Sequence, residues 1–147
     1  MNLIKGDLLS VDRGIIVHGC NSCGYFNAGV AKAIREKYPQ AYQDYMYHYR
    51  RGNANLGNII TTKISDDLYI VSGITQNEFG RIPQRCYVSY EAIEQVFSQV
   101  NNMAIALNLS VNFPMIGAGL GGGDWNSIRN IIDTTLDQDV ISNCFYL

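Results

Sequence analysis

The sequence is most informative first in what it lacks. No apolar run approaches the roughly 20 residues that a membrane-spanning helix needs, and Met1 to Asp7 lacks the pattern of an export signal. A soluble, intracellular (cytoplasmic) protein with no membrane partner is the expectation. Charge is sparse and nearly balanced: charged residues make up 16% and the formal net charge is −2, so no strong pull toward bulk nucleic acid is expected. The local exceptions are two arginine clusters, Arg50 with Arg51 and Arg81 with Arg85. There are only four cysteines, Cys20, Cys23, Cys86 and Cys144, too few for a disulfide scaffold in a chain with an adequate core, and they read as thiols. Cys20 and Cys23 form a C-x-x-C pair. Zinc would require two further ligands at usable spacing, and His48, Cys86 and Cys144 are scattered, so no metal and no cofactor is expected. Repeats, low-complexity tracts and linkers are absent as well. What remains is a 147-residue chain with 47% hydrophobic residues, enough to bury one core, and a single domain over 1–147 is expected.

The patterning alternates strand and helix. A short β-branched run over 14–18 reads as a buried strand, followed by a polar, glycine-containing loop over 19–27. Val30, Ala31, Ile34 and Tyr38 recur at helical spacing within 28–38. Pro39 ends that helix and suits the first turn of another, which runs to about Arg51. Spans 57–64 and 68–74 read as paired strands joined at Ser65-Asp66-Asp67, with a polar loop over 75–85 after them. Ile93, Val96, Phe97, Val100, Met103, Ala104 and Leu107 mark the clearest helix. A strand over 109–115, a glycine loop over 117–123, a helix carrying Trp125, Ile128, Ile131, Ile132 and Leu136, and a strand over 140–147 complete the order. Strands separated by helices predict an α/β fold with a mixed, largely parallel sheet between two helical layers.

In such sheets ligands settle at the carboxyl ends of strands, in loops that lead into helices. Two loops fit. In the later one, five glycines among the seven residues of 117–123 strip side chains from a strand-to-helix turn. The backbone can then press its N–H groups onto a phosphate or diphosphate, aided by the dipole of the following helix. Its match to G-x-G-x-x-G is weak evidence by itself, since no βαβ unit with a ribose-binding acid follows and no Gly-Lys-Ser/Thr ending is present. Asp124, just before Trp125, reads first as a helix N-cap. In the earlier loop Asn21 offers an amide suited to sugar hydroxyls, and Gly29 permits close backbone approach at a helix start. His18, at the end of an apolar strand, is the candidate for acid–base work, against the plainer reading of a hydrogen-bonded structural histidine.

Three motifs, in their order and spacing, resemble the macro domain family over nearly the whole chain. They are Gly6-Asp7-Leu8-Leu9, His18-Gly19-Cys20-Asn21 with Ala28-Gly29-Val30-Ala31, and Pro114 to Trp125. Small bacterial and phage proteins of this type look similar, and the likeness is greatest to the branch containing yeast ADP-ribose 1''-phosphate phosphatase and terminal ADP-ribose protein glycohydrolase. The resemblance implies a three-layer α/β/α macro domain. Its implied partner is ADP-ribose or a derivative, free or attached to a macromolecule. Asp7 and Leu8 would meet adenine. Asn21, Ala28, Gly29, Val30 and Ala31 would hold the distal ribose, and Ile116, Gly117, Ala118, Gly119, Leu120 and Gly121 the diphosphate. The phosphatase branch implies catalysis by His18 and Asn21. The chain departs from the glycohydrolase type at two points: Gln76 stands where that type has lysine, and Gly121 where it has aspartate. Without the amine, the sugar–lysine route is closed. The function expected is therefore binding of ADP-ribose with dephosphorylation of ADP-ribose 1''-phosphate, with a non-catalytic reader and an ADP-ribosyl hydrolase of other mechanism as alternatives.

Overall fold

A computed structural model describes residues 1–78, 86–119 and 121–147. Arg81 and Arg85 of the second basic cluster, and Leu120 of the glycine loop, lie outside the described residues. The element order is β1 (Asn2–Lys5), β2 (Gly14–Asn21), α1 (Gly29–Lys37), α2 (Pro39–Arg50), β3 (Ile59–Ser65), β4 (Leu68–Gln76), α3 (Tyr90–Leu107), β5 (Val111–Phe113), α4 (Trp125–Thr135) and β6 (Ser142–Tyr146), with a 3-10 turn at Leu8–Ser10. The described strands form one sheet in the order β1-β6-β5-β2-β4-β3. Every neighbouring pair is parallel except β3–β4, an antiparallel hairpin that closes at Ser65↔Leu68. The mixed, largely parallel α/β sheet expected from the alternation is present.

β2 lies at the centre and is covered on both faces, which is why its sequence is an apolar run rather than an alternating one. Ile15 and Val17 point into a cluster with Val96, Phe97, Ile128 and Ile132 from α3 and α4. Ile16 and Cys20 point the other way, into a cluster with Ile34, Ala41 and Tyr45 from α1 and α2. Each large aliphatic side chain buried this way stabilises the fold by about 1.5–3 kcal/mol. Helix ends follow local chemistry. Ser89 caps α3 by accepting from the Ala92 N–H, and Asn108 in the left-handed region (φ 54°) ends it.

The boundaries depart from the sequence reading in instructive ways. β2 continues three residues past His18, because Gly19 and Cys20 pair with Gly73 and Ile74 of β4. The expected span 109–115 shrinks to Val111–Phe113, the stretch that finds partners in β2 and β6. β1 was not expected at all; its four residues are mostly exposed and owe their conformation to pairing with β6. Since β2, β4 and β5 are adjacent and parallel, their carboxyl ends open on the same side of the sheet.

Candidate functional site

A cleft of about 620 Å³ opens at those carboxyl ends, within the range of small-molecule sites. One wall is the end of β2 and the start of α1: His18, Gly19, Cys20, Asn21, Tyr25, Ala28, Gly29, Val30 and Ala31. The opposite wall is Pro114, Met115, Ile116, Gly117, Gly119 and Gly121 from the segment after β5. Thr75 and Gln76, at the end of β4, join them. The two loops that the sequence singles out thus face one another. Thr75 carries no sign of this role in the sequence, because β4 becomes a neighbour of β2 only through a tertiary crossover, whereas Tyr25 and Met115 lie within the two stretches that the sequence singles out, without an expected contact of their own. Of the remaining expected residues, Asp7, Leu8 and Ala118 are not part of this wall.

Both walls present backbone N–H groups without acceptors. α1 begins at Gly29 in the left-handed region (φ 55°), and its N-cap, Ala28, has no side chain able to cap it. The first backward bond at this end runs from Lys32 N–H to Ala28 O at 3.3 Å, and no described residue accepts from the N–H of Gly29, Val30 or Ala31. The positive end of the α1 dipole therefore faces the cleft uncompensated. Across from it, the glycine loop uses some of its own donors internally: Gly123 N–H bonds Gly117 O at 2.8 Å and Gly122 N–H bonds Gly119 O at 3.1 Å. The N–H groups of Gly117, Gly119 and Gly121 have no acceptor among the described residues. α4 behaves differently from α1. Asp124 caps it, with one carboxylate oxygen accepting from the Ser127 N–H at 3.0 Å and its hydroxyl at 2.7 Å. Those bonds hold the Asp124 pKa down. The helix dipole offered to an anion is that of α1, then, and not that of the helix after the glycine loop.

The glycines divide by what would replace their hydrogens. A Cβ on Gly121 would lie 2.7 Å from Gly117 O, and one on Gly123 2.7 Å from Val88. Gly117 sits at φ 78° with Val88 2.9 Å from a built Cβ. These three are demanded by the fold of the loop. Gly119 is not: its φ is ordinary and a Cβ would meet nothing within 4 Å. The space it leaves belongs to the cleft.

His18 is only 1% exposed although it contributes to the cleft floor. Its Nε2 lies 2.8 Å from Ser72 Oγ, and its ring packs edge-on to Phe26 with centroids 5.2 Å apart. Burial lowers its pKa to about 3, so it stays neutral near pH 7 and holds no imidazolium proton to donate. Such an environment favours the structural reading of His18 over acid–base work. Burial pushes the Cys20 thiol up, keeping it protonated beside His18, with its sulfur 3.7 Å from Nδ1. Cys23 is exposed, and among the described residues no group of three His, Cys, Asp or Glu side chains is placed to hold a metal ion.

Asn21 organises its own loop. Its Oδ1 accepts from Cys23 N–H (3.1 Å) and Tyr25 N–H (3.2 Å) and lies 3.1 Å from the Tyr45 hydroxyl, while Nδ2 donates to Tyr25 O at 2.7 Å. Nδ2 carries two hydrogens, and the second has no acceptor among the described residues. Gln76 donates through Nε2 to Glu78 O. Apart from His18, no described wall residue bears a group that ionises near neutral pH. Asp7 is exposed and caps the 3-10 turn, its Oδ1 accepting from Leu9 N–H at 2.9 Å, while Leu8 is buried.

Comparison with known proteins adds four findings. The family model for the Macro domain matches residues 17–132. The chain is 27% identical over 144 residues to the ADP-ribose 1''-phosphate phosphatase of Lodderomyces elongisporus, covering 88% of this chain and 89% of that protein. It is 24% identical over 140 residues to the DNA ADP-ribosyl glycohydrolase of Thermus aquaticus, covering 93% of this chain but only 38% of that protein. A solved structure of a Bacteroides thetaiotaomicron protein of unknown function superimposes with a TM-score of 0.92 at 27% identity, covering 99% of this chain and 97% of that one.

Proposed function

The chain belongs to the macro domain family, and from that premise we propose that its cleft binds ADP-ribose or a close derivative, with the diphosphate between the α1 N-terminus and the glycine loop. One observation carries this reading: two elements aim unsatisfied N–H groups into the same cleft, and Gly119 keeps the space between them open without any packing need. Backbone amides and a helix dipole bind anions without a cationic side chain, which suits walls whose described residues include no lysine or arginine. Asn21 then presents its spare Nδ2 hydrogen to the distal ribose, and Asp7 its second carboxylate oxygen to the adenine amine. Calorimetry with ADP-ribose tests this. Micromolar affinity, about 8 kcal/mol, is expected; no heat and no thermal shift at millimolar ligand would refute it.

A second reading, dephosphorylation of ADP-ribose 1''-phosphate, is favoured by the relative that bears that name and matches this chain along most of both lengths. Water would attack phosphorus and the P–O bond to the sugar would break, leaving ADP-ribose and phosphate. With His18 neutral and bonded to Ser72, the chain's contribution is positioning and charge stabilisation by Asn21 and the loop amides. Removal of ADP-ribose from a macromolecule through a lysine is not open to this chain, because Gln76 occupies that position. Incubation with ADP-ribose 1''-phosphate and with ADP-ribosylated protein, following released phosphate and ADP-ribose, separates these activities. Binding without either product would make the protein a reader.

A further inference from the structure

We propose that Tyr45, which is not part of the cleft wall, is a positioning residue that sets recognition of the sugar beyond the diphosphate; this rests on the binding mode proposed above. Tyr45 is fully buried on α2. Its hydroxyl donates to Asn21 O at 2.6 Å, lies 3.1 Å from Asn21 Oδ1, and accepts from Gly24 N–H at 3.1 Å. One phenol therefore ties both ends of the turn 21–24 to a helix packed in the core. Burial raises its pKa, so it keeps its proton near neutral pH. Its ring is held by Phe26, with centroids 5.0 Å apart, and by Tyr49, stacked at 6.4 Å.

The consequence falls on the Asn21 amide. With Cys23 N–H and Tyr25 N–H both directed at Oδ1 in a turn that the Tyr45 hydroxyl holds at both ends, a flipped amide would set donors against donors. The donor-bearing Nδ2 is thereby fixed as the group left to reach a ligand. A loop ordered before binding does not have to be ordered by the ligand, and affinity gains accordingly. Only the part of the ligand that touches residues 21–25 should notice. ADP, which lacks the distal ribose, should not.

Tyr45→Phe keeps the ring and removes the hydroxyl. Calorimetry on the variant should show ADP-ribose binding about tenfold weaker than wild type, the scale of one or two lost hydrogen bonds, with ADP affinity unchanged within about twofold. Equal weakening of both ligands would assign Tyr45 a general structural role and overturn the proposal, as would an unchanged ratio. Wild-type protein supplies a check that needs no variant: the Gly24 amide should exchange with solvent slowly, and fast exchange there would mean that the phenol does not hold the turn. If wild type does not bind ADP-ribose, the binding mode itself fails; if it does and the ratio is insensitive to Tyr45→Phe, only the present inference fails.

Discussion

Replacing Gly119 by glutamate separates a glycine kept for a ligand from one kept for the fold. A side chain at 119 starts in open space, with no heavy atom within 4 Å of its Cβ and no left-handed φ to strain it. Stability should therefore stay within about 0.5 kcal/mol of wild type, as for surface substitutions generally. Ligand binding should not survive. A carboxylate about 5 Å from a phosphate charge is repelled by about 3 kcal/mol at an effective dielectric of 20, before any steric conflict. A loss of at least 100-fold in ADP-ribose affinity, about 2.8 kcal/mol, is the expected lower bound. Gly121→Ala is the control: its Cβ would lie 2.7 Å from Gly117 O, and overpacking against backbone costs about 1–3 kcal/mol of stability. Thermal melting and calorimetry on both variants give the answer. Near-wild-type binding by Gly119→Glu would place the ligand elsewhere, and unfolding of that variant would show that the missing side chain is a requirement of the fold.

Two further outcomes follow from the same geometry. Asp7→Asn preserves the bond from Leu9 N–H but turns the outer oxygen into a donor facing the adenine amine; affinity for ADP-ribose should fall by about 1.5–3 kcal/mol, and unchanged calorimetry would remove Asp7 from the site. His18 makes stability depend on pH. The folded form stays neutral down to about pH 3 while the unfolded chain takes up a proton near 6.5, so this contribution is complete above pH 6.5 and is lost as pH falls. Denaturant unfolding between pH 7.5 and 5.0 should cost wild type about 2 kcal/mol more than His18→Gln, and parallel losses in the two proteins would contradict the buried, neutral assignment.

The fold was legible in sequence where local pattern decides it. Ile93, Val96, Phe97 and Val100 announce α3 by spacing alone, and Asp124 announces the start of α4 by its cap. The pattern fails where pairing decides. Asn2–Lys5 is a strand only because β6 lies alongside, and β2 reaches Asn21 only because β4 does. The same division holds at the cleft. Glycines at 117, 119 and 121 and the Ala28-Gly29 helix start mark both walls in the sequence, since missing side chains can be read directly. The burial of His18 against Ser72, the commitment of Asn21 Oδ1 to its own loop and the role of Tyr45 cannot be read that way. Each depends on which strand or helix lies next door, and residues 54 and 24 positions apart meet there. Sequence also assigned the helpful dipole to the helix after the glycine loop. The cap that identifies α4 is what occupies that dipole, and α1, lacking a cap, offers its own.

The central claim is that unsatisfied amides on two facing elements hold the diphosphate. Titrating isotope-labelled protein with ADP-ribose and following backbone amide resonances tests it directly. The amides of Gly29, Val30, Ala31, Gly117, Gly119 and Gly121 should shift together and saturate at one equivalent, on a micromolar binding curve. Saturable binding that leaves those six amides unmoved, or no shift at millimolar ligand, would contradict the account.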